Sequence, residues 1–223
     1  DILLDDIFFK GTNYAHDIAG TEETVKNISR EQILNYIKQN YKPTNIIISL
    51  AGNISFDEAE ELVNKYFERN FLKQEDFVFA PVKSNYQIKN TQKTLVKETN
   101  QAQVRIAYST NANTFNEKEK LIESFISNML GGGMSSRLFQ EVREKLGLVY
   151  SIFCNNDSTD LTGSFVIGFG TNLKNVSLAL KTIKKVIDDV VLNGFTQEEL
   201  NQTKTIFISS YKLRSDSPSS VAS

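Results

Sequence analysis

The sequence is poor in the residues that build metal sites and disulfides. It contains one cysteine and one histidine in 223 residues. Zinc sites usually need three or four His, Cys or carboxylate ligands, and neither an H-E-x-x-H nor a C-x-x-C pattern is present. We therefore expect no metal site in this chain. His16 lies in a loop-like segment with no Ser or Cys motif to pair with, which favours a structural role over a catalytic one. Cys154 has no basic neighbour to lower its pKa, so we interpret it as inert.

The sequence also lacks a strong charge of either sign and a long apolar run. The net charge is -2 and the pI about 5.6, which favours neither nucleic acid nor anionic lipid as a partner. The longest apolar runs, such as residues 46–51, are far too short to span a bilayer. The chain opens without the basic residues of a signal peptide, and its single cysteine cannot form an internal disulfide. We expect a cytoplasmic protein with no membrane segment.

Helices are indicated by capping patterns and by apolar residues at helical spacing. A Ser or Thr followed three residues later by Glu or Gln predicts four helix starts, at Ser29, Ser55, Thr114 and Thr196. Two further helices are predicted at about residues 136–145 and 174–192. Gly147 suits the left-handed turn that ends the first of them, and Gly194 ends the second.

Strands are indicated by alternating apolar residues and by β-branched runs. The predicted strands are residues 45–52, a short edge strand at 92–97, a strand from Val104, and two strands at 148–153 and 161–170 around a polar turn at 155–160. Strands that pair mostly as neighbours, with helices stacked on one face, favour an α+β fold over a doubly wound sheet. A weakly patterned stretch at 71–99 places a domain boundary near residue 85, which gives domains 1–85 and 86–223.

Residues 130–150 form the most informative segment. A triple glycine precedes an amphipathic helix that stops at Gly147, and a strand follows. Arg143 and Tyr150 lie on either side of that corner, seven residues apart. A guanidinium and a phenol aimed at one point could hold a peptide carbonyl. On their own, however, these residue types are more typical of a solvated charge and a packed ring.

The triple glycine allows three interpretations. A phosphate-binding loop would need a lysine after the glycines or a preceding strand, and Gly131–Gly133 have neither. A turn between two helices would use the freedom of glycine at positive φ. A mobile loop could contact substrate.

Together these residues resemble the pitrilysin/insulinase-type (M16) zinc peptidases, in the bacterial processing-peptidase-like branch. The segment 130–150 is similar to the signature of that family's second domain. Shorter matches resemble the end of its first domain and the start of its second, and they are Gly20-Thr-Glu-Glu-Thr24, Tyr41-x-Pro-x-Asn45, Ala51-Gly-Asn53 and Gln101-Ala-Gln-Val104. The matches occur in the expected order along nearly the whole chain.

The resemblance implies two homologous α+β domains that face each other, each with a mostly antiparallel sheet and helices packed on one face. In that family the first domain carries a zinc motif, H-x-x-E-H, and the second supplies an Arg/Tyr pair that binds and polarises the substrate. By resemblance, Arg143 and Tyr150 are that pair. The adjoining loop, Gly131, Gly132, Gly133, Met134 and Ser135, is the implied substrate-binding segment.

The chain departs from the family pattern because it begins after the position of H-x-x-E-H and ends before the family's last helices. We therefore expect a fragment: a first domain truncated at its N-terminus and a second truncated at its C-terminus. Zinc would belong to the full-length protein and not to this fragment. The expected partners are a peptide substrate and the missing catalytic portion or a homologous subunit, and a homodimer is a further option.

The expected function is thus part of a zinc-dependent endopeptidase that contributes substrate and carbonyl contacts without the metal. Two alternatives remain open at this stage. The first is a non-catalytic partner or scaffold subunit of the same family, and the second is a phosphate- or nucleotide-binding domain that uses Gly131–Gly133.

Overall fold

A computed structural model of the chain describes residues 1–68, 88–111 and 113–222. The described residues fall into two compact units. Residues 1–17 and 88–207 belong to the first unit, and residues 18–68 and 208–222 belong to the second. The predicted domain boundary near residue 85 lies outside the described residues, so the division into domains 1–85 and 86–223 stays a prediction.

The first unit is built on a three-stranded antiparallel sheet with the order β1-β3-β2. Its strands are β1 (Ala102–Thr110), β2 (Ser151–Ser158) and β3 (Gly163–Thr171). The register aligns apolar side chains across all three strands: Val104 pairs with Phe169 and Phe169 with Ile152. Alternate residues of a strand face opposite sides of a sheet, so these residues share one face.

The second and third of this unit's four described helices pack on that apolar face and close the core. The helices of this unit are α1 (Ile2–Phe8), α5 (Glu117–Gly131), α6 (Val176–Asn193) and α7 (Gln197–Ser215), which continues into the second unit. Ile167 and Phe169 of β3 and Ala179 of α6 are fully buried in one cluster that also includes Leu130 of α5. The α+β fold with an antiparallel sheet is therefore confirmed.

The amino-terminal segment, residues 1–17, is attached to the first unit by polar contacts. Arg105 donates from Nε to a carboxylate oxygen of Asp1 at 2.9 Å, and the Tyr14 hydroxyl donates to Asp160 at 2.8 Å. Lys93 and Asp6 form an ion pair. A short 3-10 helix, Asn13–Ala15, follows α1 in this segment.

The second unit contains helices α2 (Glu22–Lys26), α3 (Arg30–Asn40), α4 (Phe56–Val63) and α8 (Pro218–Ala222). A 3-10 turn covers Pro43–Asn45, and α4 continues as a π-helical stretch over Asn64–Glu68. The capping boxes predicted at Ser29 and Ser55 are both formed. Among the described side chains of this unit, none is buried.

Two predicted strands are wrong. Residues 45–52 and 92–97 are not assigned to strands, and Ile47 in the first is almost wholly exposed. A strand is defined by its hydrogen-bonded neighbour, and the described part of the chain supplies none to either segment. The apolar, β-branched composition of residues 45–52 favours a strand, but composition alone cannot create a pairing partner.

Other helix and turn boundaries in the structure differ from the predicted ones, and each difference has a physical cause. Helix α5 begins at Glu117 with Asn116 as its N-cap, because the backbone N–H of the predicted cap, Thr114, instead donates to the carbonyl of Thr159 at 2.9 Å. The polar run 155–158 pairs with β3, so the turn comes later, at 159–162. Pro218, in the tail that lacked a predicted element, occupies the first position of α8, where its missing N–H costs nothing.

Helix α5 crosses β2 very closely at Gly131. A Cβ placed on Gly131 would lie 2.6 Å from both the Cβ and the backbone nitrogen of Cys154. By contrast, a Cβ on Gly133 would meet no atom within 4 Å.

We predict that Gly131→Ala lowers the free energy of unfolding by about 1–3 kcal/mol, because the added methyl forces the helix away from a strand backbone. Chemical denaturation of the purified chain measures this change. Gly133→Ala is the matched control and should alter stability by less than about 0.5 kcal/mol. Equal effects of the two substitutions would contradict the close-packing explanation.

Candidate functional site

The first two of the three consecutive glycines, Gly131 and Gly132, pack closely at the end of α5. Gly131 is buried against Cys154, and a Cβ on Gly132 would lie 2.6 Å from the Cα of Asn128 in the preceding turn. None of Gly131, Gly132 and Gly133 has a positive φ. The interpretation of the triple glycine as a turn that uses positive φ, one of the three left open, is therefore wrong. The small size of glycine explains Gly131 and Gly132.

The loop that follows is exposed and is fastened by side-chain hydrogen bonds. The hydroxyl of Ser136 donates to the carbonyl of Gly133 at 2.6 Å, and the amide of Gln140 donates to the carbonyl of Met134 at 2.6 Å. Met134 is 77% exposed, and Ser135 is exposed beside it. Of the five predicted substrate-binding residues, Gly131 alone is buried, so the other four can be reached by a ligand.

Arg143 lies on the helix that follows this loop. Residues 137–138 are α-helical, and Phe139–Glu144 form a π-helix instead of the α-helix predicted for 136–145. The Arg143 side chain is exposed, and its guanidinium carbon lies 4.7 Å from the centre of the Phe139 ring. Single π-helical turns of this kind occur often at functional sites.

A short corner connects Arg143 to Tyr150. Gly147 adopts the left-handed conformation predicted for it, with φ +57°, and its N–H donates to the carbonyl of Arg143 at 2.9 Å. The backbone N–H of Tyr150 donates to Gly170 of β3 at 2.8 Å, and the hydroxyl of Thr171 donates to the carbonyl of Leu148 at 2.5 Å. Tyr150 therefore lies immediately before β2, with its side chain half exposed.

The two predicted catalytic side chains are thus both at the surface of one corner and not in the core. Neither Arg143 nor Tyr150 makes a side-chain hydrogen bond or ion pair to any other described residue. A guanidinium carries five N–H donors and a phenol carries one O–H donor. These donors are therefore open to a ligand, and a carbonyl oxygen is a chemically suitable acceptor.

A third residue of the signature, Arg137, has a structural task that sequence reasoning missed. It donates from Nε and Nη2 to the two carboxylate oxygens of Glu199 at 2.6 and 2.9 Å. It also donates to Asp189 and to the carbonyl of Gly194, both at 3.0 Å, and stacks on Phe195. These contacts hold the start of the signature helix to the connection between α6 and α7. We call them the Arg137 clamp. No local pattern could reveal this contact, because Arg137 and Glu199 are 62 residues apart.

The Arg137 clamp shifts the pKa values of both Glu199 and Arg137. The hydrogen bond from Arg137 lowers the pKa of Glu199 to about 2, and hydrogen bonds from Thr196 act in the same direction. The hydrogen bond to Glu199 raises the pKa of Arg137. Thr196 and Glu199 also form the predicted capping box of α7.

The described residues do not offer a donor set for zinc. Within residues 1–68, 88–111 and 113–222, no group of three or more His, Cys, Asp or Glu side chains could hold a metal ion. Cys154 is buried, and burial raises the pKa of its thiol to about 12, which keeps it protonated and unreactive. His16 is exposed, and its backbone N–H caps the 3-10 helix at 13–15.

Comparison with known proteins identifies the family. The sequence-family model that describes the peptidase M16 inactive domain matches residues 27–207 of this chain. The chain belongs to the M16 peptidase inactive-domain family. The family assigned by resemblance from the signature residues is therefore confirmed.

The curated relatives of this M16 domain carry names of two kinds. It is 31% identical over 208 residues to the uncharacterized zinc protease YmxG of Bacillus subtilis, covering 92% of this chain and 49% of that protein. It is 26% identical over 221 residues to the non-peptidase homolog YmxG of Helicobacter pylori, covering 98% of this chain and 50% of that protein. The chain thus spans about half the length of these relatives.

Solved structures share the fold of this M16 domain. The peptidase M16 inactive domain from Pseudomonas fluorescens superposes with a TM-score of 0.76 at 22% identity, covering 94% of this chain and 50% of that one. A protease from Helicobacter pylori gives the same TM-score and identity, covering 94% and 51%. Among the helices described, none combines the length and the apolar character that a membrane crossing requires.

We predict that removing the charge of Glu199 weakens the clamp of the M16 domain. Glu199→Gln should lower the free energy of unfolding at pH 7 by about 1.5–3 kcal/mol, the range for hydrogen bonds to charged groups. In the folded domain the pKa of Glu199 is about 2, below its ordinary value of 4.5. The charged carboxylate therefore contributes fully to the free energy of unfolding above about pH 4.5, and this contribution is lost as the pH falls towards 2. The difference in the free energy of unfolding between wild type and Glu199→Gln should therefore decrease as the pH falls from 4.5 to 2.

The control for this prediction is Asp188→Asn, which removes an ion pair between two largely exposed side chains, Lys184 and Asp188. Such pairs contribute little, so this variant should change stability by less than about 0.5 kcal/mol. Denaturant unfolding between pH 2 and pH 7 measures all three proteins. A difference for Glu199→Gln that stays constant across this range would refute the role assigned to the charge.

Proposed function

We propose that this chain is the metal-free half of a zinc-dependent endopeptidase and that it binds the substrate peptide through Arg143 and Tyr150. The longer protein to which we assign it is called the intact protein below. Its other half would supply zinc and the activated water. This half would supply hydrogen-bond donors to the carbonyl that is attacked.

The observation that carries the proposal is the exposure of Arg143 and Tyr150 at one corner, without competing partners among the described residues. Hydrolysis of an amide passes through an oxyanion, and preplaced donors stabilise that oxyanion more than they stabilise the ground-state carbonyl. Because the backbone on both sides of the corner is hydrogen-bonded to β3 or within the helix, little reorganisation is needed when the substrate arrives. The exposed loop at 132–135 is the adjoining surface for the peptide chain.

The second unit supports the assignment to a larger protein. Its described side chains include none that is buried, although it has several amphipathic helices. Ile33, Leu34 and Ile37 of α3 are each more than 40% exposed, and Ile47 is 96% exposed. A folded segment must bury such surface against something. The occupant we propose is the other half of the intact protein, since the matched relatives are about twice as long as this chain.

An alternative is a companion subunit that has no catalytic activity of its own. It is favoured by the relative from Helicobacter pylori, whose name describes a non-peptidase homolog. Residues encoded upstream of Asp1 distinguish the two functions, because an H-x-x-E-H motif there would supply the zinc ligands of a protease. A nucleotide-binding role receives no such support, because packing already explains Gly131 and Gly132.

We further propose that the protein acts in the cytoplasm on extended peptides, with neither nucleic acid nor membrane as a partner. The net charge of -2 and the single buried cysteine favour this setting. Peptide binding by addition to a strand edge would recognise the backbone of the substrate more than its side chains. Both outer strands of the sheet, β1 and β2, have such an edge within the described residues.

We predict that Arg143→Ala lowers kcat for hydrolysis of an unstructured peptide by the intact protein about a hundredfold, as expected when an oxyanion donor is lost. Tyr150→Phe should lower kcat by at least about tenfold, since it removes the hydroxyl and keeps the ring. Tyr108→Phe is the matched control, because Tyr108 is exposed to a similar degree on β1 of the same unit. Normal kcat in both site variants would exclude the proposed role.

Metal dependence gives a separate prediction. A chelator should abolish hydrolysis by the intact protein, and the present chain alone should neither cleave peptide nor gain activity from added zinc. Peptidase assays with and without chelator, together with zinc analysis of both proteins, measure this. Cleavage that persists with chelator would contradict the assignment to a zinc peptidase. An intact protein without zinc or activity would favour the companion-subunit alternative.

A further inference from the structure

We propose that Phe139 is a positioning residue that holds the guanidinium of Arg143 in one orientation before substrate binds. This inference rests on the proposed function, because it concerns how one of the two proposed substrate contacts is prepared. Phe139 itself is not proposed to touch the peptide.

The position of the Arg143 guanidinium over the Phe139 ring is the first observation. The guanidinium carbon of Arg143 lies 4.7 Å from the centre of the Phe139 ring, well inside the distance at which a cation is attracted to the face of an aromatic ring. The two residues are four apart in the π-helix Phe139–Glu144, whose hydrogen bond from Lys145 to the carbonyl of Gln140 spans five residues at 3.0 Å. The ring and the cation therefore belong to one locally ordered turn.

The anchoring of the ring is the second observation. Phe139 is partly buried and packs against the hydrophobic core that contains Leu138 and Val142, both fully buried. A ring held by the core offers a fixed surface to an exposed side chain. A freely rotating ring could not restrict the arginine in this way.

The absence of a competing carboxylate is the third observation. Glu141, two positions before Arg143, is paired with Lys145 at 2.5 Å, and Arg143 has no ion pair to any described residue. The ring is thus the contact that sets the direction of the guanidinium. Stacking uses the face of the planar group and leaves its N–H donors free at the edge, where a carbonyl oxygen can accept from them.

The consequence is a smaller entropic cost when substrate binds. A long exposed arginine loses rotamer freedom on forming directed hydrogen bonds, and prior ordering reduces that loss. The effect on activity should match an exposed cation–π contact, which corresponds to about a two- to fivefold change.

The first experiment measures the stacking directly, by NMR of the 223-residue chain. The Arg143 side-chain Nε–Hε signal is assigned by its disappearance in Arg143→Lys. We expect a ring-current shift of this signal that is lost in Phe139→Leu, which keeps an apolar side chain in the core, and retained in Phe139→Tyr. Phe195→Leu is the matched control, because Phe195 stacks on Arg137 instead, and it should leave the Arg143 signal unchanged. An Arg143 signal identical in wild type and Phe139→Leu would overturn the proposal.

The second experiment is a double-mutant cycle on peptide hydrolysis by the intact protein. Phe139→Leu should lower kcat/KM about two- to fivefold, Phe139→Tyr should restore it, and Phe139→Leu should cause no further loss in an Arg143→Ala background. An equal loss in both backgrounds would mean that Phe139 acts only through stability, and the proposal would fall. If Arg143→Ala leaves hydrolysis unchanged, the proposed function fails, and the ring-current result alone decides whether the stacking exists.

Discussion

The candidate site depends on the hydrogen bonds that attach the corner at residues 147–150 to the end of strand β3. Gly170 accepts from the backbone of Tyr150, and Thr171 donates to the carbonyl of Leu148. Strand β3 is paired on both sides, and its residues Ile167 and Phe169 are fully buried. Segments of this kind open only when the whole domain unfolds. The exposed phenol therefore belongs to backbone that is hydrogen-bonded to the buried central strand.

The signature segment divides its residues between packing and exposure. Gly131 lets α5 touch β2, and Arg137 fastens the next helix to the connection between α6 and α7. These contacts leave Arg143 and Tyr150 at the surface, without partners in the described part of the chain. The residues of the motif are thus held together by one domain fold, and only some of them are candidates for contact with a ligand. In the function we propose for them, the carbonyl and the metal-activated water come from the substrate and from the other half of the intact protein.

Local signals in the sequence predicted several elements whose physical cause is local, although the capping signal at Thr114 did not start its helix. The capping boxes at Ser29 and Ser55 formed as predicted, because each involves residues three positions apart. The left-handed conformation of Gly147 also follows from a local signal, because glycine directly after a helix favours that conformation. The strand at 45–52 failed because a strand needs a neighbour, and the Arg137 clamp was missed because its partner is far away in the chain. The resemblance to a family singles out Arg143 and Tyr150 as the candidate pair, which stays a prediction, whereas the contact of Arg143 with the Phe139 ring is visible only in the structure.

The central claim is that a guanidinium and a phenol on this domain converge on one peptide carbonyl. The most direct test is a structure of the intact protein bound to a peptide in which the scissile amide has been replaced by a non-cleavable group. Our account predicts that Arg143 and Tyr150 both lie within hydrogen-bond distance, about 2.6–3.2 Å, of the same oxygen next to that group. A bound peptide that leaves either side chain in solvent, or that occupies another face of the domain, would contradict the account.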